Sequence, residues 1–186
     1  MILLFAELFL LFLLAWIYVV IFKVLFVKNY KDYPPYFPTF GHAKKIILDC
    51  VCTQLKETQK DYSVVDPGCG TASILYLLAK KFPQHNFTGI EWNWFLYKLA
   101  RFRCRKLKNV TVLYQDLFDY SYTKTNIVIC FLLEPLMKRF GEKLKSGTLK
   151  ELTVYSYIFQ IPNLKLIEER KSGKLFSFEK VYIYKV

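Results

Sequence analysis

Two glycines and three acids in the middle of the chain have the spacing of a ligand site. Asp66, Gly68 and Gly70 stand in the run VVDPGCGTASILYLLAKKF, from Val64 to Phe82. Glu91 follows 23 residues after Gly68, and Asp116 closes a third apolar run, VTVLYQD. Branched apolar residues ending on an acid, then a Gly-x-Gly turn, then an apolar run with helical spacing, read as strand, tight turn and helix. Such a unit lets the backbone approach a nucleotide-like ligand, while a carboxylate at the tip of the next strand accepts from ribose hydroxyls. The chemistry these residues point to is the binding of a cofactor that carries a ribose.

The elements around them supply the frame. Ala43 to Leu55 has its apolar residues at helical spacing. Asn86 to Glu91 reads as the second strand, Trp92 to Leu107 as a strongly basic helix, and Val110 to Tyr114 as the third strand. Asn126 to Phe131 is a buried fourth strand, Glu134 to Lys145 a helix closed by Ser146 and Gly147, and Leu152 to Tyr157 a fifth strand. Strands alternating with helices imply a parallel sheet covered on both faces. The end breaks the rhythm: Leu164 to Arg170 and Leu175 to Tyr184 are joined only by Lys171-Ser172-Gly173-Lys174, which suits an antiparallel hairpin.

Composition sets the surroundings. Of the 186 residues 54% are hydrophobic, more than a soluble domain of this size needs, so part of the excess should face lipid. Leu8 to Phe22 is unbroken apolar, and its flanks bring it to the roughly 20 residues a bilayer demands. No basic segment precedes it and no small-residue cleavage site follows, which argues against a removed signal peptide. Lys23, Lys28 and Lys31 follow the apolar run, so the positive-inside rule puts the remainder on the cytoplasmic side of a single-pass anchor. The expected division is a transmembrane anchor over residues 1–27, a proline and aromatic connector over 28–41, and an α/β domain over 42–186.

The formal charge of +12 calls for an anionic partner. With an apolar anchor beside it, an acidic membrane surface is a better candidate than nucleic acid, and the basic helix would lie against the headgroups. The Tyr33-Pro34-Pro35-Tyr36 run is not the loop of amino-methylating nucleic-acid enzymes, because it follows no strand. The cysteines at 50, 52, 69, 104 and 130 form no C-x-x-C pair and have only His42 and His85 for company. They read as reduced core thiols, and no metal site is expected.

The turn alone does not choose between a dinucleotide and S-adenosylmethionine, since Gly68-Cys69-Gly70-Thr71-Ala72-Ser73 lacks a third glycine and a ribose-binding acid serves either. Two features decide. Asp116 sits where adenine would be contacted, and the closing hairpin leaves no second mononucleotide half. In VVDPGCGTA, GIEWN and QDLF the chain resembles the class I S-adenosylmethionine-dependent methyltransferases over roughly Thr39 to Val186. The resemblance implies a Rossmann-like seven-stranded sheet with an antiparallel last strand. It also implies cofactor contacts from Asp66, Gly68, Cys69, Gly70, Thr71, Glu91, Trp92, Asp116, Leu117 and Thr39.

A transmembrane helix, then PPYFPT, then this core is similar to the membrane-anchored protein-lysine methyltransferases that modify the ATP synthase c subunit and the adenine nucleotide translocase, and more closely to their short prokaryotic relatives. FLLEPLMKRFGEKLKSG and YSYIFQIP look like the same group. Where the mitochondrial enzymes carry a Gly-Val-Pro-Gln type of loop, this chain has Leu132-Leu133-Glu134-Pro135. The implied function is methylation of a lysine on a membrane or membrane-proximal protein. Leu133, Glu134, Tyr155, Tyr157 and Phe159 are candidates to line the acceptor pocket, with no residue assigned as a catalytic base. Methylation of a lipid-soluble small molecule or of RNA, and a silent membrane adaptor, are the alternatives.

Overall fold

The computed structural model describes residues 2–22, 41–147, 151–171 and 180–186. The chain forms two compact units, Met1–Pro38 and Thr39–Val186. In the first, α1 (Ile2–Phe22) is a helix of 21 residues. Every side chain described in it, from Glu7 to Ile21, is exposed, including Phe9, Phe12, Trp16 and Tyr18. Among the described residues no helix is long and apolar enough to cross a membrane. The flanks that would extend α1 to a full span, before Glu7 and after Ile21, have no described side chains. The connector as far as Phe40 lies outside the described residues, and Thr39 with it.

The second unit runs α2 (Gly41–Glu57), β1 (Ser63–Pro67), α3 (Ser73–Lys81), β2 (Asn86–Glu91), α4 (Trp94–Cys104), β3 (Val110–Tyr114), β4 (Ile127–Cys130), α5 (Glu134–Ser146), β5 (Thr153–Tyr157), β6 (Leu166–Lys171) and β7 (Lys180–Lys185). The strands form one seven-stranded sheet in the order β3-β2-β1-β4-β5-β7-β6. The first five are parallel to one another, and β7 runs antiparallel to both β5 and β6. The expected hairpin is therefore present, although residues 172–179, where its second strand was expected to begin, lie outside the described residues.

Alternation along the strands builds two cores. Val64, Ile127, Ile129, Tyr155 and Ile183 face α2, α3 and α4, and pack with Ile47, Val51, Leu75 and Leu78. Val65, Val128, Cys130, Val154 and Tyr184 face the other way, onto Leu136, Met137, Phe140 and Leu144 of α5. Helices thus cover both faces, three on one and α5 on the other. α4 begins two residues later than its expected start at Trp92, because Asn93 caps it: Oδ1 accepts from Phe95 N at 3.0 Å and Leu96 N at 3.2 Å.

One close approach fixes how the glycine turn sits on the sheet. A Cβ built on Gly89 of β2 would stand 2.7 Å from Cys69 Sγ and 3.0 Å from Leu75 Cδ1. Cys69 is therefore a packing residue that fills the hollow over Gly89. Gly89→Ala should destabilise the fold by about 1–3 kcal/mol through overpacking. Cys69→Ala in the same chain should return a substantial part of that loss, as a double-mutant cycle in denaturant would measure. Strictly additive effects would show that the contact does not govern the turn.

Candidate active site

β1 ends at Asp66 and Pro67, and the chain then reverses through three residues in the left-handed region: Gly68 at φ 81°, Gly70 at φ 56° and Ala72 at φ 53°. Glycine takes this conformation freely, whereas an L-residue costs roughly 1–2 kcal/mol. Ala72, at the position where a third glycine is common, accepts that cost with its methyl group fully buried. The turn is tied to β2 because Gly68 N and Cys69 N both donate to the Ile90 carbonyl, at 2.8 and 3.0 Å.

Glu91 ends β2 and holds the turn from the other side. Its Oε2 accepts from Gly70 N at 2.9 Å and its Oε1 from Asn93 N at 2.8 Å. Burial raises its pKa above the ordinary carboxylate value, opposed by the N–H groups of Asn93, Gly70 and Trp92. Asp66, also buried, is pushed up to about 8, first by burial and then by the charge of Glu91. Two carboxyl groups in one water-poor pocket cannot both ionise cheaply, and a cationic ligand would relieve the pair.

The sheet register aligns these groups. Asp66 pairs with Gly89, Ile90 with Leu113 and Glu91 with Tyr114, so β1, β2 and β3 end side by side. Asp116 lies just beyond β3, where its Oδ1 accepts from Phe118 N at 2.9 Å. Leu117 beside it is buried, and its carbonyl accepts from the Tyr122 hydroxyl at 2.9 Å. Trp92 is half-buried after β2. In this sheet order the chain switches direction between β1 and β4, and ligands of open α/β sheets bind in the crevice at such a point.

Residues that spacing did not point to complete the turn. Arg103, an exposed residue of α4, donates through Nη1 to both the carbonyl and Oγ1 of Thr71, each at 2.8 Å. Leu132, after β4, comes within 3.3 Å of where a Cβ on Gly68 would stand. Both follow from tertiary approach, although the basic run in α4 and the apolar exit of β4 are visible in the sequence.

The acceptor candidates divide. Leu133, half-buried, precedes α5, and Glu134 is an exposed acid in its first turn. Tyr157, buried at the end of β5, meets Phe131 edge to face with ring centroids 5.0 Å apart, and Phe131 stacks on Phe159 at 6.4 Å. Tyr155 stands apart from them: its hydroxyl donates to Gln54 Oε1 at 2.8 Å, and Gln54 Nε2 donates to Thr153 Oγ1 at 3.1 Å. It joins α2 to the sheet. Beyond Tyr157 the Phe159 N–H returns to the Tyr157 carbonyl at 2.8 Å, with Ile158 at φ 65° between them. A branched residue in that region is strained by about 1–3 kcal/mol, and the turn holds the aromatic rings in place. Phe131 joins this cluster from the exit of β4, a contact that residue spacing does not signal.

The cysteines add no nucleophile. All five are free and buried. Burial and the nearby carboxyl groups push the Cys69 thiol up, and burial pushes that of Cys130 up to about 12. Among the described residues no group of His, Cys, Asp and Glu side chains gathers to hold a metal ion.

The site fits S-adenosylmethionine. Gly68 leaves an exposed stretch of backbone after β1, Gly70 is buried against Glu91, and Glu91 retains lone pairs for hydroxyl donors. The buried pair Asp66 and Glu91 suits a ligand with cationic groups, while Asp116 stands at the third strand end. When bound, the cofactor supplies a methyl group on a sulfonium, an electrophile with a built-in leaving group.

Comparison with known proteins agrees with this reading. Residues 66–168 match the sequence model of a family described as the ANTKMT methyltransferase domain. No curated protein matches the chain. Among solved structures, an RNA methyltransferase from Salinibacter ruber in complex with S-adenosyl-L-homocysteine is 20% identical with a TM-score of 0.68, over 80% of this chain and 93% of that one. The putative methyltransferase yhhF from Escherichia coli is 16% identical with a TM-score of 0.61, over 81% of this chain and 89% of that one. TYW2 from M. jannaschii in complex with AdoMet is 18% identical with a TM-score of 0.59, over 80% of this chain and 77% of that one. At these identities the structures establish the fold, and the family match covers more than half of the sequence. This chain therefore belongs to the ANTKMT methyltransferase domain family and is an S-adenosylmethionine-dependent methyltransferase.

Proposed function

We propose that this enzyme is a membrane-anchored protein-lysine N-methyltransferase acting on a membrane or membrane-proximal protein, with its catalytic domain on the cytoplasmic side. The observation that carries the reading is the ANTKMT methyltransferase domain match over residues 66–168. The exposed apolar side chains of α1 and the lysines at 23, 28 and 31 support the anchor and its orientation.

The residues of the chain then work by positioning. Gly68, Gly70 and Glu91 fix the cofactor's place, and Leu132 and Phe131 wall the side facing β4. An acceptor lysine enters as an ammonium with a pKa of about 10.4 and must lose a proton before it attacks. Burial among Phe131, Tyr157 and Phe159 disfavours the charged form, so the proton leaves to solvent as the amine enters. The cofactor, when bound, would supply the methyl group for in-line displacement, and the alignment these residues impose would carry most of the rate gain.

The test incubates the full chain with a native membrane fraction and labelled S-adenosylmethionine, followed by mass spectrometry of the labelled species. Methylated lysine in a membrane protein is the expected product, absent with Gly68→Arg, which places a large side chain at a left-handed position beside Leu132. Label confined to RNA or to the lipid extract would overturn the lysine assignment.

A further inference from the structure

The outer face of α4 has a composition that a water-facing helix does not need. Trp94, Phe95, Leu99 and Phe102 are all exposed, Phe102 at 64% and Trp94 at 58%. No acid occurs from Asn93 to Asn109, whereas Lys98, Arg101, Arg103, Arg105, Lys106 and Lys108 all fall there. At 3.6 residues per turn Trp94, Lys98, Arg101 and Arg105 share one stripe, with Phe95, Phe102 and Leu99 beside it. The buried stripe of Leu96, Ala100 and Cys104 lies opposite.

The exposed rings and cations are paired. Lys98 Nζ sits 5.3 Å from the Trp94 ring centroid, and the Arg105 guanidinium 3.8 Å from that of Phe102. Behind the stripe an open-mouthed cavity of about 260 Å³ is lined by Arg101, Cys104, Arg105, Leu107, Val110 and Val112. Two guanidinium groups over an apolar floor suit an anionic head attached to an apolar body. The wall is β3, an edge strand of the sheet.

We infer that the outer face of α4 docks on an anionic bilayer surface, with Trp94, Phe95 and Phe102 in the headgroup and acyl boundary and Lys98, Arg101 and Arg105 on lipid phosphates. The inference deepens the membrane reading above and rests on it. Lipid is favoured over RNA because Phe95, Leu99 and Phe102 form an apolar side next to the cationic stripe, as an interfacial helix requires, and because the same chain carries the exposed apolar helix α1. Aromatic rings and arginines also stack on bases, so RNA is an outcome the test distinguishes. Docking by this face brings the N-terminal end of α4, which starts three residues after Glu91, against the bilayer, on the side of the sheet where the cofactor crevice opens. Acceptors that lie in or against the bilayer are then favoured by concentration alone.

Two single-tryptophan versions of the full chain test this in lipid nanodiscs. One keeps Trp94 (Trp16→Phe, Trp92→Phe), and the other keeps Trp16 (Trp92→Phe, Trp94→Phe). Discs contain phosphatidylcholine alone or with phosphatidylglycerol, each with and without brominated acyl chains, which quench only rings in contact with them. Trp94 should be quenched in brominated anionic discs, much less in zwitterionic ones, and the quenching should fade at about 1 M salt, where the screening length is about 3 Å. Reversing Lys98, Arg101 and Arg105 to Glu on the exposed face should weaken docking on the order of 100-fold or more. Trp16 should be quenched in both compositions. Quenching of Trp16 without Trp94 overturns the docking face and leaves the anchor, while quenching of neither overturns both. A Trp94 signal that answers to added RNA and not to brominated anionic lipid gives the face to RNA. A Trp94 blue shift without quenching, in discs holding two copies, gives it to a second chain.

Discussion

Glu91→Gln should weaken S-adenosylmethionine binding by about 10- to 100-fold and lower the stability of the unliganded fold by about 1–3 kcal/mol. Both carboxylate oxygens of Glu91 are engaged by the backbone, one by Gly70 N at 2.9 Å and one by Asn93 N at 2.8 Å. An amide keeps one acceptor and turns an NH2 group toward the other N–H, leaving a buried donor without a partner, at about 1–3 kcal/mol. With Glu91 as the expected acceptor for the ribose hydroxyls, the same substitution also removes its charge there, where a hydrogen bond to an ionised group is worth about 1.5–3 kcal/mol, or about 10- to 100-fold in affinity. One benefit opposes these losses: without the Glu91 charge, Asp66 ionises more easily. Titration calorimetry and denaturant unfolding would measure the two effects. A variant that binds the cofactor as well as the parent would remove Glu91 from the site.

Most of the catalytic scaffold was legible because its signals are local. β2 and β3 are bounded by their own residues, Asn86 to Glu91 and Val110 to Tyr114, and fall where the apolar runs place them. The glycine turn announces itself because no other residue takes φ 81° cheaply. Glu91 was legible for a related reason: a carboxylate ending a buried strand has few roles other than to accept from the groups it faces. The family match begins at Asp66, at the foot of that turn.

What the sequence hid is tertiary. Arg103 reaches Thr71 across 32 residues and Tyr155 reaches Gln54 across 101, and neither bond leaves a trace in periodicity. Tyr155 and Tyr157 look equivalent in the sequence as aromatic residues two apart on β5. One nevertheless anchors α2 while the other joins Phe131. The difference lies in what packs on the strand, which residue spacing does not encode. Ala72 is a third case, since its left-handed conformation breaks the local preference of its type and is imposed by the turn around it.

The pocket that attracts a cation should also make the empty enzyme sensitive to pH, through Asp66. Its folded pKa of about 8 lies above the ordinary 3.8, because burial and then Glu91 disfavour the charge. Folded protein therefore holds a proton between those values that unfolded chain releases, and the stabilising contribution is present in full below about pH 4 and is lost as pH rises through 8. Asp66→Asn keeps the polar side chain and removes the titration. Relative to the parent, the variant should gain stability from pH 4 to pH 9 by an amount on the order of several kcal/mol, as parallel denaturant series would measure. Cofactor binding should run the other way, because a cationic ligand favours the ionised carboxyl and releases its proton. Affinity for S-adenosylmethionine should rise between pH 6 and 8 by up to about tenfold per unit, level off above, and lose this slope in Asp66→Asn. A parent enzyme whose affinity does not change over that interval would mean that Asp66 is already ionised in the empty site. If Asp66→Asn keeps the slope, the proton belongs to another group, with Glu91, buried and raised alongside it, the next to replace.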